Sequence, residues 1–391
     1  MTVPRIAVLG AGPTGLEAAL AAHQRGWDVT VYEAAPHVAG HVRAWGHVRL
    51  FTPWSMSVSP RSVQALGLTP ASHVSPTGDE LAGHLDRVAD LLGDRVLLST
   101  RVEAIARHGL LKNEEIGTPT RAGRPFRLLV ADPDGDERVD IADVVLDCTG
   151  TYSHPLPVGA GGIPAQGERR LGDRLVRQIP DVLGEPARWA GRDVLLVGAG
   201  NSAQTVARDL AAVGAHLTWA VRSEAPTWGA VEDDVLPDRA ALVASSRRLA
   251  AGTAGVRLLT GVVVERLAES GAQLQVTLLG RDGQRSVVVV DDVVAMTGAV
   301  GDSGLYRQLQ VHECYATEGP ISLAASLLGS AGGDCLAQVS AGVDVLRNPE
   351  PRFFVLGIKS YGRNNTFLLR VGWEQVDEVF TALDSELLVA V

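Results

Sequence analysis

The chain contains few cysteines, no long apolar run and no excess of basic residues. Its three cysteines, Cys148, Cys314 and Cys335, lie far apart and form no Cys-x-x-Cys pair. This spacing argues against a dithiol redox centre and a zinc knuckle, and it favours a reducing, cytoplasmic setting. No apolar stretch reaches the ~18 residues that a membrane span requires, so we expect no membrane association.

Charge and length narrow the class of protein further. The 391 residues include 35 Lys and Arg against 45 Asp and Glu, with a net charge of -10. Because no basic run breaks this balance, nucleic acid is not an expected partner. The first strand is predicted to begin near Arg5, which leaves no room for a signal peptide. At roughly 150 residues per domain, the chain has room for two or three domains, and its oligomeric state stays open, a homo-oligomer included.

A glycine-rich turn near the start of the chain has the pattern of a dinucleotide-binding loop. Gly10, Gly12 and Gly15 form G-x-G-x-x-G between a short apolar strand and a predicted helix. The first glycine permits the tight turn, the second lets the backbone approach a pyrophosphate, and the third lets helix and strand pack closely. The helix begins with Pro13 and Thr14, and its unpaired N–H groups are expected to bind phosphate. We call Gly10–Gly15 the first glycine loop.

An acidic residue ends the next predicted strand, which covers residues 29–32. This residue is Glu33, and a carboxylate at that position accepts hydrogen bonds from both ribose hydroxyls. The strand, turn, helix and terminal acid together make a bare glycine-rich turn a poorer explanation. The first glycine loop is therefore predicted to bind a dinucleotide with free ribose hydroxyls.

The same pattern recurs in the middle of the chain with one substitution. Gly198 and Gly200 follow an apolar strand, and the third glycine is replaced by Ala203, which the pattern tolerates. Asn201 and Ser202 lie in the first turn of the predicted helix and are expected to contact the cofactor. We call Gly198–Ala203 the second glycine loop.

The second copy ends in a base where the first ends in an acid. Arg222 and Ser223 follow the predicted strand 217–221. An arginine binds the 2′-phosphate of NADP(H), which a carboxylate would repel, although a solvated charge at a strand end is the alternative. We therefore predict FAD at the first loop and NADPH at the second, with hydride passing from the nicotinamide to the flavin.

Two similar strand ends indicate where the chain leaves one nucleotide domain and later returns to it. Both are expected to contact cofactor, and they are Thr149-Gly150 and Thr297-Gly298. We predict an α/β fold with two Rossmann-like dinucleotide-binding domains, the NADP(H) domain (151–298) being inserted into the FAD domain (1–150 and 299–391). Strands before residue 150 are predicted to form a small β-meander with a polar surface loop at 111–125.

The stretch HVRAWGHVRLFTPW is interpreted as an extended segment near the flavin, with equivalent residues on one face. A surface loop with structural aromatics is the alternative. A metal site at His41 and His47 lacks further ligands nearby. The predicted cofactor contacts here and in the meander are Gly40, Trp45, Arg49 and Val102. Trp54 is predicted to form one side of the reaction site.

The stretch GIKSYGRNNTFLLR places many polar side chains in a loop after a buried strand. Polar residues in a loop beside a cofactor are often functional, and donors near the flavin would stabilise its reduced form. A solvated loop is the alternative. Gly357 and Thr366 are predicted cofactor contacts, and the predicted catalytic residues are Lys359, Tyr361, Asn364 and Asn365. An amphipathic helix is predicted from about Gly372, with Val376, Val379, Phe380 and Leu383 in the core.

These motifs, taken in order, resemble those of the flavin-containing monooxygenases and of the wider group of two-dinucleotide flavoproteins. The resemblance rests on the first glycine loop with Glu33, then C-T-G, G-A-G-N-S-A, Arg222-Ser223 and A-M-T-G, and it covers most of the chain. It implies an enzyme in which NADPH reduces FAD. The reduced flavin then forms a C4a-hydroperoxide with O2 and transfers one oxygen atom to a small nitrogen- or sulfur-containing substrate.

A reductase or dehydrogenase on the same scaffold, without oxygen transfer, is the alternative. The stretch GGIPAQGERRLGDRLVRQIPD lacks the Phe and His that monooxygenases of this type have before the second loop. The segment from His41 to Pro60 also contains no asparagine near the expected flavin position. A redox sensor without turnover is a third interpretation, and two intact glycine loops argue against it.

Overall fold

The structure is a computed structural model that describes residues 3–328, 336 and 338–389, so Cys335 lies outside the described residues. The chain divides into two compact units. The first unit is Met1–His154 with Val300–Val391, and the second unit is Pro155–Ala299. Which cofactor each unit binds, and the domain boundaries drawn on that basis, stay predictions.

The strands and helices are named in chain order. The strands are β1 (Arg5–Leu9), β2 (Asp28–Tyr32), β3 (Val96–Leu97), β4 (Arg101–Arg107), β5 (Phe126–Ala131), β6 (Glu137–Ala142), β7 (Val144–Asp147), β8 (Leu175–Val176), β9 (Asp193–Val197), β10 (His216–Val221), β11 (Val256–Thr260), β12 (Val262–Ser270), β13 (Gln273–Gly280), β14 (Arg285–Val290), β15 (Asp292–Ala295) and β16 (Phe353–Val355). The helices are α1 (Pro13–Gln24), α2 (Gly40–Arg43), α3 (Trp54–Ser57), α4 (Pro60–Leu66), α5 (Gly78–Leu92), α6 (Pro119–Gly123), α7 (Pro186–Trp189), α8 (Asn201–Ala212), α9 (Pro237–Ala250), α10 (Ile321–Leu328), α11 (Val343–Leu346) and α12 (Leu369–Val389).

A parallel five-stranded sheet forms the centre of the first unit, in the order β16-β7-β1-β2-β3. The predicted strands and the helix after the first glycine loop are confirmed. β7 is buried along its whole length, as expected for a strand covered on both faces. Because all five strands run in one direction, their carboxyl ends meet at one edge, where α/β proteins bind ligands.

The predicted β-meander is confirmed as the antiparallel sheet β4-β5-β6. The predicted surface loop at 111–125 is wrong in its second half, where α6 forms with Thr118 as its N-cap. Arg121, in this helix, has a side chain that is only 1% exposed because it forms an ion pair with Glu350. The polar composition of this segment predicted an exposed loop, because the ion-pair partner that makes burial possible lies far along the chain.

One buried carboxylate joins three separated segments of the first unit. Glu350 accepts a hydrogen bond of 2.6 Å from Arg107 Nε and another of 2.6 Å from Arg121 NH2. It also accepts the backbone N–H of Gln310 at 2.7 Å. Burial alone would raise the pKa of Glu350, but the hydrogen bonds from Arg121, Gln310 and Arg107 outweigh it and lower that pKa.

The second unit contains a second parallel sheet, in the order β11-β10-β9-β15-β8, and the antiparallel sheet β12-β13-β14. The predicted strands on both sides of the second glycine loop are confirmed as β9 and β10. Leu196 and Trp219, with the apolar face of α8, form a buried core beneath the second loop. The second unit thus repeats the strand–loop–helix–strand order of the first.

The predicted C-terminal helix is confirmed as α12, although it begins at Leu369 and not near Gly372. Its four predicted core residues are each 0% exposed, and the helix packs against α1. Among the described helices, none combines the length and apolar character that crossing a bilayer would require. The fold class predicted from the two glycine loops is confirmed.

Candidate cofactor site

The first glycine loop has the geometry that its three glycines predict. Gly10 has φ +94°, and a Cβ there would lie 2.9 Å from the Cys148 carbonyl oxygen. A Cβ on Gly15 would collide with the Gly10 carbonyl oxygen. Both positions therefore exclude larger residues, the first also because of its left-handed backbone. They hold β1, α1 and the end of β7 in close contact.

Gly12 differs because no protein atom lies close to the position that a side chain would take there. A Cβ on Gly12 would meet no atom within 4 Å. Gly12 is the N-cap of α1 and makes no side-chain capping hydrogen bond, and Pro13 is the first helical residue. The first-turn N–H groups of α1, which include that of Thr14, have no partner inside the helix, and a helix N-terminus with free donors binds phosphate. These residues fit the pyrophosphate of a dinucleotide.

Glu33 is held beside this loop by backbone donors. Its Oε2 accepts the Ala11 N–H at 2.7 Å, and its Oε1 accepts the Ala35 N–H at 2.8 Å. A carboxylate oxygen can accept more than one hydrogen bond, so both oxygens keep capacity for ribose hydroxyls. Gly40 approaches the same turn closely, since a Cβ there would lie 2.8 Å from the Ala35 Cβ.

Two further strand ends converge on the first glycine loop. Thr149 and Gly150 follow β7, and Gly150 has φ +71°. Gly357 follows β16 with φ +71°, and a Cβ there would lie 2.8 Å from Thr14 Oγ1. The predicted contacts from the loop, from Glu33, from Thr149-Gly150 and from Gly357 are thus together at one edge of the sheet.

The segment after β16 is not a solvated loop. Residues Gly357–Tyr361 form a 3-10 turn in which Lys359 and Tyr361 are each 2% exposed. Burial raises the pKa of Tyr361 to about 12, so its hydroxyl stays protonated at neutral pH. Lys359 Nζ donates to Asp147 Oδ2 at 2.6 Å and to Thr149 Oγ1 at 3.0 Å. Lys359 can be internal because these partners satisfy its ammonium.

The remaining residues of this segment precede α12. Asn364 Oδ1 accepts the N–H of Thr366 at 3.0 Å and its hydroxyl at 2.8 Å, which shapes the turn into the helix. Asn365 is exposed. The predicted catalytic roles of Asn364 and Asn365, and of Lys359 and Tyr361, stay predictions.

The stretch from His41 to Trp54 is not extended, so that interpretation is wrong. α2 begins at Gly40, after Ala39 in a left-handed conformation (φ 57°), and a series of turns follows. The even spacing of the two His-Val-Arg triplets therefore does not place them on one face. His41 bonds Ser153, and Arg43 bonds Asp86.

The predicted contacts in this stretch lie in different surroundings. Trp45 packs on Gly78, and within the described part of the chain its buried Nε1 has no hydrogen-bond partner. Trp54 begins α3 and lies 6.3 Å from the His84 ring. Arg49 is exposed and donates to the Ser75 carbonyl. Val102 is half-buried in β4. Their predicted contacts with cofactor or substrate stay predictions.

The second glycine loop repeats the geometry of the first. Gly198 has φ +129°, and a Cβ there would collide with the Met296 carbonyl oxygen. A Cβ on Gly200 would meet nothing within 4 Å, as at Gly12. Ala203 is fully buried, whereas Asn201 and Ser202 are exposed in the first turn of α8. This loop likewise leaves space for a pyrophosphate at a helix N-terminus.

Arg222 stands directly after β10, at the carboxyl edge of the second sheet. Arg222 and Ser223 are both exposed, and no ion pair of Arg222 occurs among the described residues. Thr297 donates its hydroxyl to the Leu156 carbonyl at 2.5 Å, and Gly298 follows with φ +83°. A free guanidinium at the end of this strand suits a ribose 2′-phosphate.

Comparison with known proteins gives the family. The family model described as "NAD(P)-binding Rossmann-like domain" matches residues 8–59. A ferredoxin–NADP reductase of Salinispora arenicola is 30% identical over 300 residues, which cover 76% of this chain and 75% of that protein. The chain belongs to the same flavoprotein family as this reductase.

Solved structures share the fold of this flavoprotein. A bacillithiol disulfide reductase from Bacillus cereus has a TM-score of 0.73 at 20% identity and covers 98% of this chain and 100% of its own. A flavin-containing monooxygenase from Stenotrophomonas maltophilia has a TM-score of 0.61 at 20% identity and covers 99% of each chain. The resemblance to two-dinucleotide flavoproteins is thereby confirmed. The flavoprotein is a flavin-dependent NADPH oxidoreductase, and its cofactors are FAD and NADPH.

The structure adds residues of the flavoprotein that sequence reasoning missed. Trp219 Nε1 donates to the Gly198 carbonyl at 2.7 Å. Gln204 Nε2 donates to the carbonyls of Ala199 at 3.1 Å and of Trp228 at 3.0 Å. These buried donors fix the second glycine loop to the segment after Arg222. The one local signal was a glutamine among the buried residues of α8.

The described thiols of the flavoprotein are not arranged as a dithiol centre. Cys148 and Cys314 are both free and buried. Burial and the neighbouring Asp147 raise the pKa of the Cys148 thiol, which keeps it protonated and unreactive. Among the described residues, no group of three or more His, Cys, Asp or Glu could hold a metal ion.

Proposed function

We propose that this flavoprotein binds FAD at the first glycine loop and NADPH at the second, and passes electrons from NADPH through FAD to an external acceptor. The observation that carries the proposal is the contrast between Glu33 and Arg222. Both stand at the end of the second strand of a strand–loop–helix–strand unit, one as an oriented carboxylate and the other as an exposed guanidinium. This contrast assigns a free ribose to one loop and a 2′-phosphate to the other.

The proposed roles follow from this assignment. The domain that binds FAD comprises residues 1–150 and 299–391, and the domain that binds NADP(H) comprises residues 151–298. The helix N-terminus at Gly12 holds the FAD pyrophosphate, and the one at Gly200 holds that of NADPH. FAD bound there would supply the hydride acceptance and the onward electron transfer, while the chain's own residues bind and orient the cofactors and exclude water.

The acceptor that we favour is a one-electron carrier protein. The Salinispora arenicola relative is named for such a reaction, with ferredoxin as its partner, and the similarity covers three quarters of both chains. The described part of the chain offers no dithiol that could pass electrons to a disulfide. The absence of the monooxygenase-type Phe and His before the second loop agrees with this acceptor.

A monooxygenase that uses O2 and a small nitrogen- or sulfur-containing substrate is the second candidate. The combination of GAGNSA, Arg222-Ser223 and AMTG supports it. The two candidates share the reductive half of the reaction. They differ in where the reduced flavin sends its electrons.

One experiment separates the two candidates. Purified FAD-loaded protein with NADPH is mixed in one arm with oxidised ferredoxin without oxygen, and in the other with amines, hydroxylamines and thiols under isotopically labelled O2. Rapid ferredoxin reduction with no labelled product supports the carrier-protein reductase. A labelled product formed in step with NADPH consumption supports the monooxygenase. If NADPH reduces the flavin but neither ferredoxin reduction nor a labelled product is observed, both proposed acceptors are contradicted.

Glu33→Gln is expected to weaken FAD binding roughly tenfold to a hundredfold. The amide keeps one acceptor oxygen but loses one charge-assisted hydrogen bond to a ribose hydroxyl, worth ~1.5–3 kcal/mol, and its NH2 group also opposes a backbone N–H. The dissociation constant of FAD, measured by fluorescence on the apoprotein, checks this. Glu103→Gln, an exposed carboxylate on β4, serves as the control. Equal affinity in both variants would contradict the placement of the ribose at Glu33.

A further inference from the structure

A buried ammonium ties together the two strand ends beside the first glycine loop. Lys359 Nζ donates to Asp147 Oδ2 and Thr149 Oγ1, and the Thr149 hydroxyl donates in turn to Asp147 Oδ1 at 2.7 Å. The side chains of Lys359 and Asp147 are 2% and 0% exposed. We call Lys359, Asp147 and Thr149 the lysine clamp.

The choice of lysine at this position is unusual for this chain. Lys112 and Lys359 are its only lysines, whereas Lys and Arg together number 35. The lysine stem is closely surrounded, since a Cβ on Gly301 would lie 2.5 Å from its Cγ. Its Nζ also lies 5.1 Å from the centre of the Tyr306 ring, which adds a cation–π contact. A compact ammonium is thus surrounded by a carboxylate, a hydroxyl and a ring face, whereas a planar guanidinium with five donors would need other partners.

On both sides of the lysine clamp, a residue one or two positions from a clamp residue contacts the first glycine loop. Asp147 is paired with Val355 in the sheet, and the Leu356 N–H donates to the Asp147 carbonyl at 2.9 Å. Cys148, between the clamp residues Asp147 and Thr149, has its carbonyl against Gly10. On the other side, Gly357 lies against Thr14, two residues before Lys359. The clamp therefore holds the two strand ends that flank the loop.

We propose that the lysine clamp is a positioning device that fixes both strand ends around the FAD site. Its two buried charges cancel, so that no net charge is left beside the flavin. This inference rests on the proposed placement of FAD at the first glycine loop. Lys359 acts through Asp147 and Thr149, because two of its three donors are used by them and its ammonium also lies against the Tyr306 ring. It shapes the site and its electrostatic field without reaching the reacting atoms.

Removing one charge at a time has opposite consequences for the flavin. Lys359→Met leaves a buried carboxylate, which disfavours the additional negative charge of reduced flavin and lowers its midpoint potential. Asp147→Asn leaves a buried ammonium, which stabilises reduced flavin and raises the potential. Lys359→Met combined with Asp147→Asn restores neutrality. A merely structural role for the clamp would move all variants in the same direction.

The test is the midpoint potential of FAD in the purified FAD-loaded protein and these three variants. We expect a lower potential in Lys359→Met, a higher one in Asp147→Asn and a value close to the unmodified protein in the double variant. Equal potentials, or shifts of one sign in both single variants, would overturn the proposal. Lys359→Arg preserves the charge and is expected to keep the potential while weakening FAD binding severalfold, because a planar guanidinium does not reproduce the contacts of the ammonium with Asp147 and Thr149.

Two further measurements keep the result interpretable. If Lys359→Met does not fold, Thr149→Val removes one partner of the ammonium without changing charge. That variant is expected to weaken FAD binding with no change of potential, and unchanged binding would overturn the positioning role. Glu33→Gln separates the two proposals. If it leaves FAD binding intact, the placement of FAD fails; if it weakens binding while no clamp variant moves the potential, the lysine clamp alone fails.

Discussion

Replacing Glu350 by alanine is expected to lower the free energy of unfolding by ~3–5 kcal/mol, as when one member of a buried ion pair is removed. The change leaves the guanidinium groups of Arg107 and Arg121 without their carboxylate, and both are 1% exposed. It also removes the acceptor for the Gln310 N–H. Chemical denaturation of the FAD-loaded protein and of the variant, followed by circular dichroism, measures the difference.

A combined replacement sharpens this expectation. Arg107→Met, Glu350→Leu and Arg121→Met together remove all three charges, and we expect the triple variant to be more stable than Glu350→Ala. Glu103→Ala, at an exposed position in the same unit, should change stability by less than ~0.5 kcal/mol. A variant Glu350→Ala as stable as the unmodified protein would contradict the role of this carboxylate. Since its pKa is lowered on folding, its contribution is lost as the pH falls through that lowered pKa.

Replacing Arg222 by alanine is expected to raise KM for NADPH by roughly tenfold to 150-fold and to leave KM for NADH unchanged. The expected loss is that of one charge-assisted contact with the 2′-phosphate, ~1.5–3 kcal/mol. Arg222 is exposed and has no ion pair within the described residues, so its removal should not disturb the fold. Steady-state kinetics with both nucleotides measures the effect.

The matched control for this variant is Arg257→Ala. Arg257 is also exposed and lies near the amino end of β11, in the same sheet as β10. Because dinucleotides bind at the carboxyl ends of parallel strands, Arg257→Ala should leave both KM values unchanged. If Arg222→Ala weakened NADPH and NADH equally, the assignment of a 2′-phosphate to Arg222 would be contradicted.

The parts of the fold that local patterns specify could be predicted from the sequence. The strand–loop–helix–strand units follow from apolar runs next to glycines with one steric role each, so their positions were predicted to within a residue or two. The apolar face of α12 follows from helical spacing. These features depend on neighbours in sequence, and Gly10 and Gly198 both have the positive φ that the turn requires.

The features that sequence reasoning missed depend on distant partners. Lys359 and Asp147 are 212 positions apart, and Arg107 and Glu350 are 243 apart. No local pattern distinguishes a solvated charge from a buried one whose partner lies so far away. For this reason the loop that contains Arg121 was predicted to lie at the surface, and the buried pairing of Lys359 with Asp147 was not predicted.

The prediction of an extended segment from His41 to Trp54 was wrong for a different reason. Two identical triplets suggested an extended chain with a repeat, but Gly40 permits the backbone to approach Ala35, and a helical turn begins there. Short helices of one turn have no periodicity that sequence can reveal. A close contact between two residues only five positions apart accompanies the helical turn in this case.

The most direct test of the account is the anaerobic reduction of the bound flavin by NADPH and by NADH, followed at the visible absorption band of FAD. We expect that purified protein contains FAD, that one equivalent of NADPH reduces it, and that NADPH does so at much lower concentration than NADH. Arg222→Ala should abolish this preference and retain the FAD. A protein that binds no FAD, or a flavin that both nucleotides reduce with equal concentration dependence, would contradict the division of roles between the two glycine loops.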